Sequence, residues 1–301
     1  FYEEASGTQS YLKASQNYPE LKGIQTNLFK CFIPCAWQIV KYSGYVSFLH
    51  DQGIYDEPNS GYLRELCYKC LKYWFRFVNE KSLFSEVGHA KKYELSIFSG
   101  SHSNNVQFSA ISNLFHPLTI DKCFTDTGAG IIPGIKDEEG NWQLKGHKER
   151  IITVNEKLLC LFANLYDPPG TLGVHARMPV IHANQIIKVL ESFVNYKEHL
   201  RQYQSHYYTT QMFHETGAHR QGTILRKTVF PKSLQHWIAS GPHFHCNTPF
   251  YQTPKRVCNT SQAYDIIDLT QIPADYIPRT NYLPNCQPDI YLRRTPKVTW
   301  D

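Results

Sequence analysis

Methionine is scarce, at 2 of 301 residues, and no apolar run approaches the ~18 residues that a transmembrane helix needs. The first ten residues, FYEEASGTQS, have neither a basic stretch nor an apolar core, which excludes a secretory signal peptide. The opening residue is Phe1 rather than Met, so we expect a piece of a longer polypeptide. Several catalytic signatures are missing as well. There is no Gly-x-Ser-x-Gly elbow, phosphate-binding P-loop or His-Glu-x-x-His pair, and no nuclease-type Asp followed by Glu-x-Lys. No cysteine carries a protease-like context. Nine cysteines make an odd count without an export signal, which points to free thiols in a reducing cytoplasm.

Aromatic residues are plentiful, with 20 Tyr and 17 Phe, and 19% charged residues suits a folded globular chain of up to two domains. The net charge of +5 is unevenly placed. Residues 1–200 carry 20 cationic and 20 acidic side chains, whereas residues 201–301 carry 11 and 6. A basic final third suits a polyanionic partner.

Periodicity divides the chain. NLFKCFIPCAWQIVKYSG has apolar side chains at helical spacing from Leu28 to Val40, stopped by Gly44. YVSFLH reads as a strand. SGYLRELCYKCLKYW reads as a helix with Ser60 as its N-cap. FRFVNE and YELSIFSG read as two more strands. This alternation predicts half of a layered α/β sheet over residues 1–102. The polar stretch SGSHSNNVQ marks a boundary, and residues 103–301 read as a mixed α+β domain. Its clearest helix is predicted over Asn184–Gln204, and its last sixty residues, with eight prolines, should be extended segments and turns.

Metal ligation finds weak footing. Cys31/Cys35 and Cys67/Cys70 have zinc-compatible spacings, but both pairs sit in amphipathic helices beside aromatics, where free cysteines pack. In an extended chain His243 and His245 share a face that Cys246 does not. The glycines of DTGAGIIPG (Asp126–Gly134) precede KDEEGNW, a turn, and not the helix that a nucleotide-binding loop opens. Asp167-Pro168-Pro169-Gly170 and Asn247-Thr248-Pro249-Phe250 each supply part of an Asn-Pro-Pro-aromatic loop. Gly170 replaces the aromatic of the first, and the second lacks one proline. The cationic segments of the second half are more suggestive. KGHKERI brings Lys145, His147, Lys148 and Arg150, HRQGTILRKTVFPK brings Arg220, Arg226 and Lys227, and TPKR brings Lys255 and Arg256. Mixtures of Lys and Arg with hydroxyls and backbone N–H groups are what phosphate contacts use.

YEEASGTQSYLKASQNYPELKGIQTNLFKCFIPCAW, followed by GYVSFLH, YLRELC and LFSEVGHAKKYELSIFSG, resembles the gamma-class N6-adenine DNA methyltransferases, and among them the large fused restriction–modification forms of bacteria. The family's Leu-Phe-x-x-Phe helix corresponds to Leu28, Phe29 and Phe32, which the resemblance places beside the cofactor. The second half is similar, more loosely, to the target-recognition domains of such enzymes.

The resemblance implies a partial Rossmann-like methyltransferase sheet over residues 1–102 and a target-recognition domain over 103–301. The parent would transfer a methyl group from S-adenosyl-L-methionine to N6 of an extruded adenine. The family's cofactor loop and Asn-Pro-Pro-aromatic loop come before the Leu-Phe-x-x-Phe helix. This chain is therefore expected to hold no catalytic residue and bind no cofactor or metal by itself. Its partners would be double-stranded DNA and the missing N-terminal half of the methyltransferase domain, with no membrane. Two other readings stay open. One is a complete permuted enzyme using Gly128, Gly130 and Asp167-Pro168-Pro169. The other is a zinc-bearing interaction module without activity.

Overall fold

The computed structural model describes residues 2–25, 27–196, 198, 200–203, 213–243, 252–260 and 263–297. The chain divides into two compact units, residues 1–198 and 199–301.

The first unit opens with α1 (Tyr2–Lys13) and α2 (Leu28–Ile39). Strand β1 (Tyr45–Asp51) leads to α3 (Gly61–Cys70), and β2 (Leu71–Val78) follows without a break. The helix is thus shorter than predicted, because LKYW belongs to a strand whose aromatic and branched residues suit a sheet. Ser60 does not cap it; its hydroxyl donates to Glu57 Oε2 at 3.1 Å. Next come β3 (Lys92–Ser99), β4 (Gln107–Leu114), α4 (Leu118–Thr125), β5 (Ile152–Asn155), α5 (Glu156–Tyr166) and α6 (Gln185–Asn195). The predicted last helix ends nine residues early, at Asn195.

The strands form one mixed sheet in the order β1-β3-β2-β4-β5. β1 and β2 both pair antiparallel with β3, so they run parallel to each other, as expected for strands joined through a helix. β3 returns antiparallel because residues 79–91 form a turn and not a crossover helix. Asn79 braces that turn through the carbonyls of Phe84 and Val87. β4 then pairs parallel with β2, and β5 antiparallel with β4. The sheet therefore runs straight through the boundary expected at 102/103. The loop there is anchored by Ser103 N–H donating to Lys69 O at 2.8 Å.

Both faces of this sheet are covered in part. One side packs Leu63, Cys67, Trp74, Phe98, Phe108, Leu159 and Phe162 beneath α3 and α5. The other packs Phe75, Phe77, Ile111, Leu114 and Cys123. Arg64 is buried in α3, and its guanidinium donates to the carbonyls of Ile54, Glu57 and His175. Tyr68 adds a hydroxyl donation to Ala176 O at 2.7 Å.

The edge at β1 is different. Tyr45 and Leu49 are 68% and 52% exposed, and the adjacent helix α2 leaves Leu28, Phe32 and Ile39 at 55%, 55% and 81%. Helix α2 buries Lys30, Cys31, Ile33 and Pro34 instead, with Lys30 paired to Glu57. Among the described residues no strand pairs with the outer side of β1.

A polar row crosses the sheet near the carboxyl ends of β1 and β2. His50, Glu94 and Arg76 lie opposite one another in register and are all buried. His50 Nε2 meets Ser96 Oγ at 3.0 Å, which also meets Tyr55 OH at 3.0 Å. Arg76 reaches Gln52 Oε1 at 2.7 Å but stands 4.0 Å from Glu94 Oε1. Neither Glu94 oxygen has a hydrogen-bond partner. Burial raises its carboxyl from 4.5 to about 8, against the opposing pull of Arg76.

The second unit contains α7 (Glu215–Arg220), β6 (Ile224–Val229), β7 (Gln252–Pro254), β8 (Tyr264–Ile266), β9 (Thr280–Pro284) and α8 (Pro288–Arg294). β6 pairs antiparallel with β9 and β7 with β8, in two small sheets. Ala218, Ile224, Ile238 and Tyr282 form its core.

Glu94 sets a pH dependence whose sign follows from its direction of shift. The carboxyl is protonated in the folded chain and ionised in the unfolded one between about 4.5 and about 8. Stability contributed there is therefore full at acid pH and declines as pH rises towards 8. Denaturant titrations from pH 5 to pH 9 should show Glu94→Gln flattening this decline. The variant should gain roughly 2 to 5 kcal/mol over the parent at pH 8 and little at pH 5. Parallel profiles for the two proteins would contradict the assignment.

Candidate functional site

The cationic residues singled out in the sequence separate into two groups. In the first unit, the 3₁₀ turn Lys148–Arg150 precedes β5, and His147 begins it by accepting a hydrogen bond from Glu149 N at 3.1 Å. Gly146 lets this segment approach α4 closely, since a Cβ there would lie 2.3 Å from the Lys122 carbonyl carbon. Lys145 and Lys148 are exposed, but His147 and Arg150 are buried. The Arg150 guanidinium donates to Lys145 O, Ser112 O and Asn113 O at 3.0–3.1 Å. Burial lowers its affinity for a proton from the usual value. His147 Nε2 and Arg150 Nε have no hydrogen-bond partner among the described residues. Arg150 and His147 thus come off the set of expected DNA contacts: one holds a chain crossing together, the other caps a turn, and neither reaches the surface.

Asp126 Oδ1 accepts from Gly128 N at 2.8 Å and Lys148 N at 3.0 Å. Gly128 and Gly130 have φ of +84° and +96°, so a left-handed turn accounts for these glycines. No helix begins after them before residue 148. Asp167 is buried at the end of α5 and accepts from Arg177 Nε at 2.7 Å and Arg177 N at 3.0 Å. That ion pair occupies the carboxylate that a permuted enzyme would need for its substrate amine.

Leu28 and Phe32 offer exposed apolar surface on α2, while Phe29 is half-buried and stacks on His50, with ring centroids 5.4 Å apart. The one charged side chain of this first turn, Lys30, is buried against Glu57, and Leu28, Phe29 and Phe32 offer only apolar surface, so these residues by themselves do not fit the amine, carboxylate or ribose of S-adenosyl-L-methionine. Of the paired cysteines of α2 and α3, Cys31, Cys67 and Cys70 lie in the apolar core, and Cys35 is half-buried. Burial pushes the Cys67 thiol well up and the Cys70 thiol to about 12. Among the described residues no group of three or more His, Cys, Asp or Glu side chains could hold a metal.

In the second unit, Arg220, Arg226, Lys227, Lys255 and Arg256 are all exposed. Arg220 ends α7, Arg226 and Lys227 lie on β6, and Lys255 and Arg256 follow β7. Lys255 N donates to Ala263 O at 2.9 Å, which fixes the backbone of its turn and leaves the side chain outside. Beside Arg226 lies a hollow of about 190 Å³ that the sequence did not announce. Its floor is a hydrogen-bonded chain. Asn281 Nδ2 donates to Tyr264 OH at 2.8 Å, and Tyr264 OH pairs with Ser240 Oγ at 3.0 Å. His243 Nδ1 meets that serine at 3.1 Å, while its Nε2 meets Arg279 O at 2.8 Å. The histidine is therefore part of a buried network, and His245, Cys246 and Asn247–Phe250 lie outside the described residues. On the rim, Tyr282 OH donates to Glu215 Oε2 at 2.9 Å, and Arg226 Nη2 donates to Cys258 O at 3.3 Å. Burial, then Glu215, push the Tyr282 hydroxyl to about 12, so it stays a donor. A larger hollow of about 520 Å³, between α5 and α6, is lined by none of the cationic residues singled out.

No family model and no curated protein sequence matches the chain. Solved structures with some similarity include the type IIG restriction endonuclease BpuSI, at 14% identity and a TM-score of 0.29. That match covers 47% of this chain and 16% of the endonuclease chain, so the whole enzyme's activity belongs to that enzyme. No helix among the described residues is long and apolar enough to cross a membrane.

The two classes of cation predict different losses. Arg150→Ala should cost about 3 to 5 kcal/mol in urea denaturation, because it leaves three carbonyls unpaired and opens a cavity. Lys145→Ala and Lys148→Ala should stay within about 0.5 kcal/mol of the parent.

Proposed function

We propose that the chain is part of a bacterial, site-specific adenine-N6 DNA methyltransferase of the restriction–modification type, and that its task there is recognition of the DNA target. The observation that carries this reading is the open edge at β1. A strand with its outer side unpaired, flanked by the exposed apolar residues of α2, is a surface that folded proteins cover. The missing N-terminal half of a methyltransferase sheet would cover it, in the order that the Leu28-Phe29-x-x-Phe32 resemblance implies. Methyl transfer from S-adenosyl-L-methionine would then belong to residues outside this chain, and Leu28 and Phe32 would at most line the cofactor's apolar side.

The second unit supports the other half of the reading. It carries the excess positive charge, and its five singled-out cations all face solvent. Lys145 and Lys148 are further exposed cations on the first unit. Such a set binds phosphates without regard to sequence and releases counterions as it does so. Phosphate contacts give register on the duplex, and base contacts give specificity.

Binding of the chain to a mixed-sequence duplex should be detectable at low salt and weaken steeply as salt rises. Lys255→Ala/Arg256→Ala should weaken it about equally on all sequences and reduce the slope of log K against log salt by about 2. Absence of binding at low salt, or binding indifferent to salt, contradicts DNA recognition. Calorimetry with S-adenosyl-L-methionine separates the permuted-enzyme reading, which requires binding to this chain alone.

A further inference from the structure

The 190 Å³ hollow of the second unit brings two opposite charges to one rim without pairing them. Arg226 and Glu215 are both exposed, and no ion pair among the described residues includes either. Each is held from behind. Arg226 spends one N–H on the Cys258 carbonyl, which leaves four donors of its planar fork. Glu215 accepts from Tyr282 through Oε2, which leaves Oε1 as an acceptor. Tyr282 is in turn buried in the core that places α7 against β6. The Cys258 carbonyl belongs to a buried residue as well, and its thiol accepts from Asn281 Nδ2 at 3.5 Å. Two long side chains that would ordinarily sample many rotamers are thus each tied to a rigid partner, with their remaining hydrogen-bonding atoms unused.

A guanidinium fork beside a carboxylate matches one base pair in the major groove. Guanine presents O6 and N7 as adjacent acceptors, which an Arg fork satisfies together, and the cytosine paired with it presents its N4 amino group, which a carboxylate accepts. A·T presents an acceptor and a donor on the purine and a methyl group on the pyrimidine. It would leave an Arg hydrogen bond unmet and set the Glu carboxylate against an oxygen and a methyl group. We infer that Arg226 and Glu215 read a single G·C base pair of the target, Arg226 on guanine and Glu215 on cytosine. The inference rests on the reading of this chain as a DNA-recognition region and adds the identity of one position that it reads. Ser240, Tyr264, Asn281 and Tyr282 act as positioning residues, since their hydrogen bonds are satisfied within the protein.

Selection of binding sites from a randomised duplex pool by the full chain tests this. The parent should enrich a motif containing an invariant G·C pair. Arg226→Ala and Glu215→Ala should each relax that one position, losing roughly 5- to 150-fold discrimination there, while the other positions persist. Glu215→Gln keeps an oxygen for the Tyr282 hydroxyl and so guards against misfolding of the alanine variant. Its neutral amide carries a donor beside the acceptor, so this variant should weaken the preference for G·C at the same position while Arg226 still favours guanine. A parent motif that survives unchanged in all three variants overturns the base-pair assignment and leaves DNA recognition standing. Loss of every position together in folded variants also overturns it, since phosphate contacts would then explain both residues. A parent that enriches no motif overturns the recognition reading and this inference with it.

Discussion

Arg64 is the residue on which the first unit most depends. Its guanidinium takes up the carbonyls of Ile54 and Glu57, in the connection from β1 to α3, and of His175, 111 residues later. A buried arginine is costly unless nearly every N–H finds an acceptor. Three carbonyls from two loops meet that demand, so neither loop can leave without stranding a charge. The tie fixes α3 against the segment that follows α5. It also fixes Glu57, which accepts from Lys30 of α2 and from Ser60. One guanidinium thereby links the helix before the sheet, the helix within it and the loop beyond it.

Much of the first unit was legible. Regular spacing from Leu28 to Val40 and the alternation of β3 report local constraint, and those elements stand within a few residues of where periodicity put them, whereas the first half of β2 read as helix. The placement of cations was not legible. Lys148 and Arg150 lie two residues apart in a basic loop, yet one is solvated and the other holds three carbonyls from opposite sides of a chain crossing. Nothing local distinguishes them, because two of the three acceptors are supplied by Ser112 and Asn113, nearly forty residues away. The unit boundary failed for a related reason. SGSHSNNVQ has a linker's composition, but a loop that crosses the end of a strand needs the same small polar residues. Only the pairing of β4 with β2 tells the two apart.

The second unit has a different economy. Among the described residues its sheets have two strands each and its apolar core is Ala218, Ile224, Ile238 and Tyr282, with a network of side-chain hydrogen bonds beside it. The run from His243 through Ser240 and Tyr264 to Asn281 and Thr228 joins segments distant in sequence. Such a network is directional where apolar packing is not. It can hold rim side chains to a set orientation, which is what reading the edge of a base demands. His243, which shares a face with His245 in an extended chain, belongs to this scaffold.

The buried carboxyl of Glu94 has a calorimetric signature. At neutral pH the unfolded chain carries this group ionised and the folded chain carries it protonated, so folding draws a proton from the medium and unfolding returns it. The proton is exchanged with whatever buffer is present, and the buffer's own heat of ionisation enters the measured enthalpy. Unfolding heats recorded near pH 7 in phosphate and in an amine buffer would therefore differ at the same melting temperature, and the part of that difference lost in Glu94→Gln is the fraction of a proton this side chain holds times the difference between the buffers' ionisation heats.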